Sequence, residues 1–443
     1  MEQKKSKRAP RPRTLPPVPQ WLPEHRMAED ACAIGDDIVA LALLRALRDL
    51  RLWEMSPPGE RQWLLLPPSR DRIEAIEHVS QEARGIAEAL QDLSVMRSDP
   101  ECVRPAQLSA ACRCISRWAD RQSLAHTGLL FAEAAARVDA GAAVRAREAG
   151  RAARRVGAPD RSESWLDRAI RIAGRDGNRN RIELIRALLS YGSLLREQRK
   201  HDEARSVLSR AARLAASTRR HRVAAETQHD LLGLAIEAGT YAESERHVLE
   251  ALRHYPIHHP AVPALVHDWS FLLVRLGLYR QAQPLVEAVL PQCQHPGLKL
   301  LVWGMTGLVA AAAGDRQRYD LAVSHVRTLA SRTQEFAAAA HGNLAQGARF
   351  WREWDLARSL ATHAIDISKD RRELEVEYDV REFLAGIEAR EPPSPRGGLP
   401  ASNRIDGVAG QMLSLLDARK RPPRRPVQID KEEADDSFDS SPE

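Results

Sequence analysis

The stretch Ala238-Gly239-Thr240-Tyr241-Ala242-Glu243-Ser244-Glu245-Arg246-His247-Val248-Leu249-Glu250-Ala251-Leu252-Arg253-His254-Tyr255-Pro256 decides the fold. Gly239 is placed to close one helix, because Gly adopts the left-handed conformation without a Cβ penalty. Tyr241 enters the next helix two residues later. Small Ser244 follows three positions on, then bulky Val248, then Ala251. These three share one helical face, the face expected to pack on the preceding helix. Pro256 stops the run, since Pro cannot continue a helix.

The same arrangement recurs on both sides. Downstream stand Gly277, Tyr279, Ala282, Val286 and Val289, and later Trp354, Ala357, Ala361 and Ala364. Between them Gly314 is followed by Tyr319 where a small residue is expected. Upstream stand His201, Ala204, Leu208 and Ala211, then Gly157, Ser162, Leu166 and Ala169, and less regularly Ala125, Leu129 and Ala132. With the small position as a ruler (Ala125, Ser162, Ala204, Ser244, Ala282, Tyr319, Ala357), the intervals run from 37 to 42 residues. A single helix pair cannot bury its apolar face, whereas a stack of pairs can, so this periodicity predicts a solenoid.

These residues resemble the tetratricopeptide repeat, with its Trp-Leu-Gly-Tyr set on the first helix and Ala-bulky-Ala-Pro set on the second. Tyr191-Gly192, and Trp303 with Gly307, stand for the first-helix element. The resemblance covers residues 106–390. The usual period is about 34 residues, so longer helices or turns are implied, and other helix-pair solenoids stay open. The resemblance implies an all-α, right-handed superhelix of antiparallel pairs whose first helices line a concave groove. It implies a protein that holds a protein or peptide partner.

Composition agrees with helices. Ala, Leu, Arg and Glu dominate, and all are strong helix formers. No stretch alternates as a strand would. Lys and Arg number 66 against 60 Asp and Glu, an excess too small to argue for nucleic acid. No apolar run approaches the roughly twenty residues of a membrane span. Nothing at the basic, Pro-rich start reads as a signal peptide. Five scattered cysteines do not make a disulfide framework and read as reduced thiols. Together these point to a cytoplasmic chain.

Four regions follow. Residues 1–28, basic and Pro-rich, read as disordered. Residues 29–105 read as an N-terminal helical region without a clear repeat. Residues 106–390 form the array, with a last helix over about 371–389 as its cap. Residues 391–443 are a linker and disordered tail with an acidic end, in which 403–420 could form a short amphipathic helix.

The chain carries no phosphate-binding Gly-rich loop, His-Glu-x-x-His or Gly-x-Ser-x-Gly. No cofactor or metal site is expected; His254, His258 and His259 cluster on a Pro-bounded loop that offers no converging geometry. His229-Asp230 and His267-Asp268 lie 38 residues apart at equivalent places in successive first helices. They predict a polar ladder facing the groove, with Ser190 and Asn343 near the same place. Without a matching nucleophile the His-Asp pairs do not read as catalytic. Arg186, Arg196, Arg275 and Arg349 are also placed on the groove, where they could bind an acidic segment such as the chain's own 430–443. The expected function is an interaction scaffold. The alternative is the sensor part of a bacterial signalling or transcription-control system.

Overall fold

The computed structural model describes residues 15–27, 37–61, 84–175, 180–218, 220–393 and 403–420, with Asp30, Ile34 and His78. Among these residues there are eighteen α-helices and no strand. Helices α1 (Asp37–Met55) and α2 (Arg84–Ser98) stand in front. Seven antiparallel pairs follow: α3 (Pro105–Arg121) with α4 (Ala125–Val138), α5 (Ala143–Arg155) with α6 (Pro159–Arg175), and α7 (Arg181–Glu197) with α8 (His201–Ala216). Then come α9 (His221–Glu237) with α10 (Tyr241–His254), α11 (Val262–Arg275) with α12 (Tyr279–Val289), α13 (Pro296–Ala312) with α14 (Arg316–Ala330), and α15 (Ala337–Phe350) with α16 (Trp354–Asp370). Helix α17 (Leu374–Glu388) ends the stack, and α18 (Asn403–Arg419) follows a linker. From α5 to α17, each first helix packs on the first helix of the next pair. The chain is an all-α solenoid of antiparallel helix pairs.

The turn inside each pair obeys one rule. A residue with positive φ occupies every one: Ser123, Gly157, Arg199, Gly239, Gly277, Gly314 and Arg352. Five positions later stands a buried residue: Gly128, Ser162, Ala204, Ser244, Ala282, Tyr319 and Ala357. Gly128 therefore takes the place that the spacing alone gave to Ala125, which is only the half-buried first residue of α4. The first interval becomes 34 residues.

Tyr319 breaks the small-residue rule and is still fully buried. Glycines make its room: a Cβ on Gly347 would lie 2.6 Å from the Tyr319 ring, and one on Gly307 would lie 3.6 Å from it. The hydroxyl donates to the Leu344 carbonyl at 2.9 Å, and the ring meets Trp351 edge-on at 4.8 Å.

Two stretches differ from their sequence reading. Residues 15–27, inside the stretch read as disordered, lie extended along the helices and end in a 3-10 turn (Glu24–Met27). Pro has no N–H to donate, so ahead of the 3-10 turn the carbonyls are open to other donors. Arg168 donates to Pro16 O at 2.7 Å, Arg137 to Pro19 O, and Arg161 to Gln20 O. Trp21 Nε1 donates to Glu54 at 2.7 Å.

The second is α18, where the expected helix forms and is a packed element. It buries Val408, Met412 and Leu416 against α10 and α12. It docks where the stack is loosest, because α10 barely touches α11 while every other second helix packs on the first helix that follows it. Arg419, at its end, donates to the carbonyls of Ile257 (2.5 Å) and His259 (2.8 Å) in the α10–α11 loop. Residues 1–14 and 421–443, read as disordered, lie outside the described residues.

The stack curls until its end meets its own second and third pairs. The backbone of Arg371 sits so close to Gly157 that a Cβ there would lie 2.7 Å from the Arg371 Cα. Arg371 donates to Arg155 O at 2.7 Å and Gln198 to Arg372 O at 2.9 Å. Arg199 pairs with Glu375 at 3.2 Å and lies over the Tyr378 ring at 3.6 Å.

Candidate functional site

The curl encloses a cavity of about 270 Å³. First helices form its wall: Arg147, Arg151 and Arg154 from α5, Ser190, Ser193 and Arg196 from α7, His229 and Asp230 from α9, His267 and Asp268 from α11. Leu298 and Leu301 of α13, Ala339 of α15, and Glu375 and Val376 of α17 complete it.

Seven of the ten residues placed on the groove by sequence line this cavity: Arg186, Ser190, Arg196, His229, Asp230, His267 and Asp268. Three do not. Arg275 pairs with Asp379 at 3.7 Å. Arg349 donates to Gln346 at 2.7 Å and to Glu391 O at 2.9 Å, which holds the exit of α17. Asn343 is buried within α15.

Of the residues placed on the polar ladder, His229, His267 and Asp268 are joined by hydrogen bonds, with Asp268 at the centre, whereas Asp230 faces Ser193 at 3.5 Å. His229 Nε2 donates to Oδ2 at 3.1 Å and His267 Nδ1 to Oδ1 at 2.9 Å. Burial pushes the Asp268 carboxyl up, but hydrogen bonds from the two imidazoles, and their charge, outweigh it and hold the group well below the usual carboxylate range. Its side chain keeps 30% of its area exposed, against 12% for His229 and 8% for His267. Asp268 is thus the open acceptor of the group. His229 Nδ1 meets the Tyr255 hydroxyl at 3.2 Å, and Tyr255 stacks on His259 at 4.6 Å. Burial, and then Arg222, pushes His259 down to about 3, so this ring is neutral.

Four arginines of the wall pair with carboxylates one unit away, and Arg222 pairs within its own helix. Arg147 pairs with Glu183, Arg186 with Glu226 at 3.5 Å, and Arg196 with Glu237 at 2.7 Å. Arg222 meets Glu226 at 2.9 Å, and Arg154 meets Glu197 at 3.6 Å. Arg147, Arg151, Arg154, Arg186, Arg196 and Arg222 stand among the lining, with Glu197, Glu226, Asp230, Glu237, Asp268, Glu373 and Glu375. The wall is a balanced charge lattice, and it lacks the net positive charge that capture of an acidic segment requires. Burial, with Glu237 and Asp379 nearby, lifts Glu375 to about 7.

Sequence reasoning missed Tyr255, His259, Glu226, Glu237 and Glu375. For Glu226 and Glu237 a signal existed: each lies about one repeat after its arginine. Glu375 reaches the wall only because the array curls, and nothing local announces that. Among the described residues no group of His, Cys, Asp and Glu could hold a metal ion, and no helix is long and apolar enough to cross a membrane. The four described cysteines are free; Cys32 lies outside the described residues.

No family model matches the chain. No curated protein matches it. Among solved structures it is similar to the TPR domain of P58(IPK), at 12% identity over 79% of this chain and 98% of that one, with a TM-score of 0.20. A likeness that faint carries no argument, and the fold rests on the pairing of helices described above. Fold and site together define a helix-pair solenoid with a polar cavity on its concave side.

Proposed function

We propose that the chain is a scaffold that holds an extended segment of a protein partner in this cavity, with a basic side chain or backbone N–H groups of the segment on Asp268. The observation that carries the reading is the Asp268 carboxylate, fixed from both sides by imidazoles and open toward the cavity. A carboxylate whose geometry is already set gives up little freedom when it accepts a donor. The balanced wall suits a peptide, which brings donors and acceptors together. A cavity of about 270 Å³, just under the roughly 300–1,000 Å³ of ligand pockets, takes one side chain and the backbone beside it.

Panning a random peptide library on the full chain tests this. Selected peptides should carry a basic residue. They should lose at least about tenfold in affinity, the loss of one charge-assisted hydrogen bond, on Asp268→Asn, and should be excluded by Ala339→Trp, which fills the cavity. Peptides that bind both variants as well as wild type would refute the site.

The regulatory reading has one observation in its favour. Arg419 of α18 holds the loop that carries His259, and His259 leads through Tyr255 and His229 to Asp268. A partner that moved α18 would therefore act on the cavity wall.

A further inference from the structure

The curl makes a second cavity, of about 560 Å³, between the first two pairs and the loops of the fourth and fifth. Its charge is unlike that of the first. Arg113, Arg117, Arg121, Arg151, Arg155 and Arg419 line it, with only Asp120 and Glu148 as carboxylates. Asp120 pairs with Arg155 at 2.6 Å. Glu148 is shared by three guanidiniums, those of Arg113 (2.6 Å), Arg145 (3.1 Å) and Arg117 (4.0 Å). Arg117 and Arg151 have further contacts of their own, and without them Arg113, Arg121, Arg155 and Arg419 still outnumber Asp120 and Glu148, so the lining carries a net positive charge, its field focused by the surrounding protein. Pro260, Pro263, Cys293, Pro296 and Leu298 give it an apolar side.

We infer that this second cavity is a binding site for a carboxylate-rich peptide, and that its occupant is the chain's own segment 430–443. The segment reads Asp-Lys-Glu-Glu-Ala-Asp-Asp-Ser-Phe-Asp-Ser-Ser-Pro-Glu, seven carboxylates against one lysine, with Phe438 among them. Its charge complements the arginines, and Phe438 matches the apolar side. The connection is short. Arg419 itself lines the cavity, and ten residues separate it from the first acidic one, which allows up to about 33 Å of chain. A tethered segment reaches its site at an effective concentration in about the millimolar range, so weak pairing suffices to fill it. The acidic segment thus belongs to this cavity and not to the concave one, whose lining is already balanced.

Fluorescence anisotropy of a labelled 428–443 peptide added to the full chain tests the assignment. A full-length variant with Glu432→Gln, Glu433→Gln, Asp435→Asn and Asp436→Asn has its internal competitor weakened. It should bind the peptide about tenfold more tightly than wild type does, the competition expected of a tether. Arg117→Glu with Arg121→Glu should abolish binding, Arg117→Lys with Arg121→Lys should largely retain it, and raised salt should weaken it. Arg121 is exposed and Arg117 partly so, and thermal melts of each variant report folding separately. Equal binding to wild type and the neutralised variant, or no effect of the arginine reversal in a folded chain, would overturn the inference. So would binding of inorganic polyphosphate with none of the peptide, or pairing of the segment with Arg421, Arg424 and Arg425 seen as no binding at all. Peptides selected on the concave cavity should be unaffected by Arg117→Glu and Arg121→Glu, so the two sites stand or fall separately.

Discussion

At the scale of single residues, the turns hold stored cost that substitution can expose. Arg352 has a φ of 57°, a conformation that costs a residue with a Cβ about 1 kcal/mol relative to Gly. Arg352→Gly is expected to raise stability by about that amount, less the added freedom of Gly in the unfolded chain, read from urea melts. Gly239 and Gly157 offer the reverse comparison. A Cβ on Gly239 meets nothing, whereas one on Gly157 meets the backbone of Arg371. Gly239→Ala should cost about 1 kcal/mol, and Gly157→Ala clearly more, because Arg371 cannot withdraw without opening the curl. Equal losses would mean that the curl adds no stability.

At the scale of helices, α18 is the element whose removal should be felt furthest from its own position. Met412 is fully buried in its seat on α10 and α12, and Met412→Ala should cost that docking about 2–5 kcal/mol. Amide exchange should quicken over 403–419 and also over 257–261, whose carbonyls Arg419 holds, while α15 and α16 stay protected. The helices were largely legible in the sequence, because Gly239, Gly277 and Gly314 mark turns that need a left-handed residue. Ser123, Arg199 and Arg352 make the same turn without Gly and give no such mark, which is why Ala125 was read in the place of Gly128. The approach of the two His-Asp pairs was legible from their 38-residue spacing, but the bond between them runs from His229 to Asp268, one position out of register. The role of Arg349 was not, since besides Gln346 its acceptors are backbone carbonyls past the end of α17. The docking of α18 was not legible either, because its seat is made jointly by α10 and α12, two helices that lie far from it in sequence.

At the scale of the molecule, the contact of α17 with the second and third pairs should respond to pH. Glu375, which meets Arg199 in that contact, titrates at about 7, raised from 4.5 by burial and then by Glu237 and Asp379. A carboxyl whose folded value is raised favours the folded state when protonated. Its contribution is present below about pH 4.5 and is lost as pH rises through about 7. Glu375→Gln should therefore be more stable than wild type at pH 8 and indistinguishable near pH 4.5, with the difference developing between those limits. A difference that does not change with pH would exclude Glu375 as the titrating group.

An open solenoid stretches like a spring, each pair yielding only to its neighbours. This one is latched: Gly157 bears on Arg371 and Asp160 pairs with Arg372 at 2.8 Å, more than two hundred positions away along the chain. Tension applied at the two ends of the array would load that latch before any pair lengthened. The resting length would then hold constant up to one threshold force and become elastic only above it. A solenoid with that response keeps its cavity at fixed width under weak pull and opens it abruptly under strong pull.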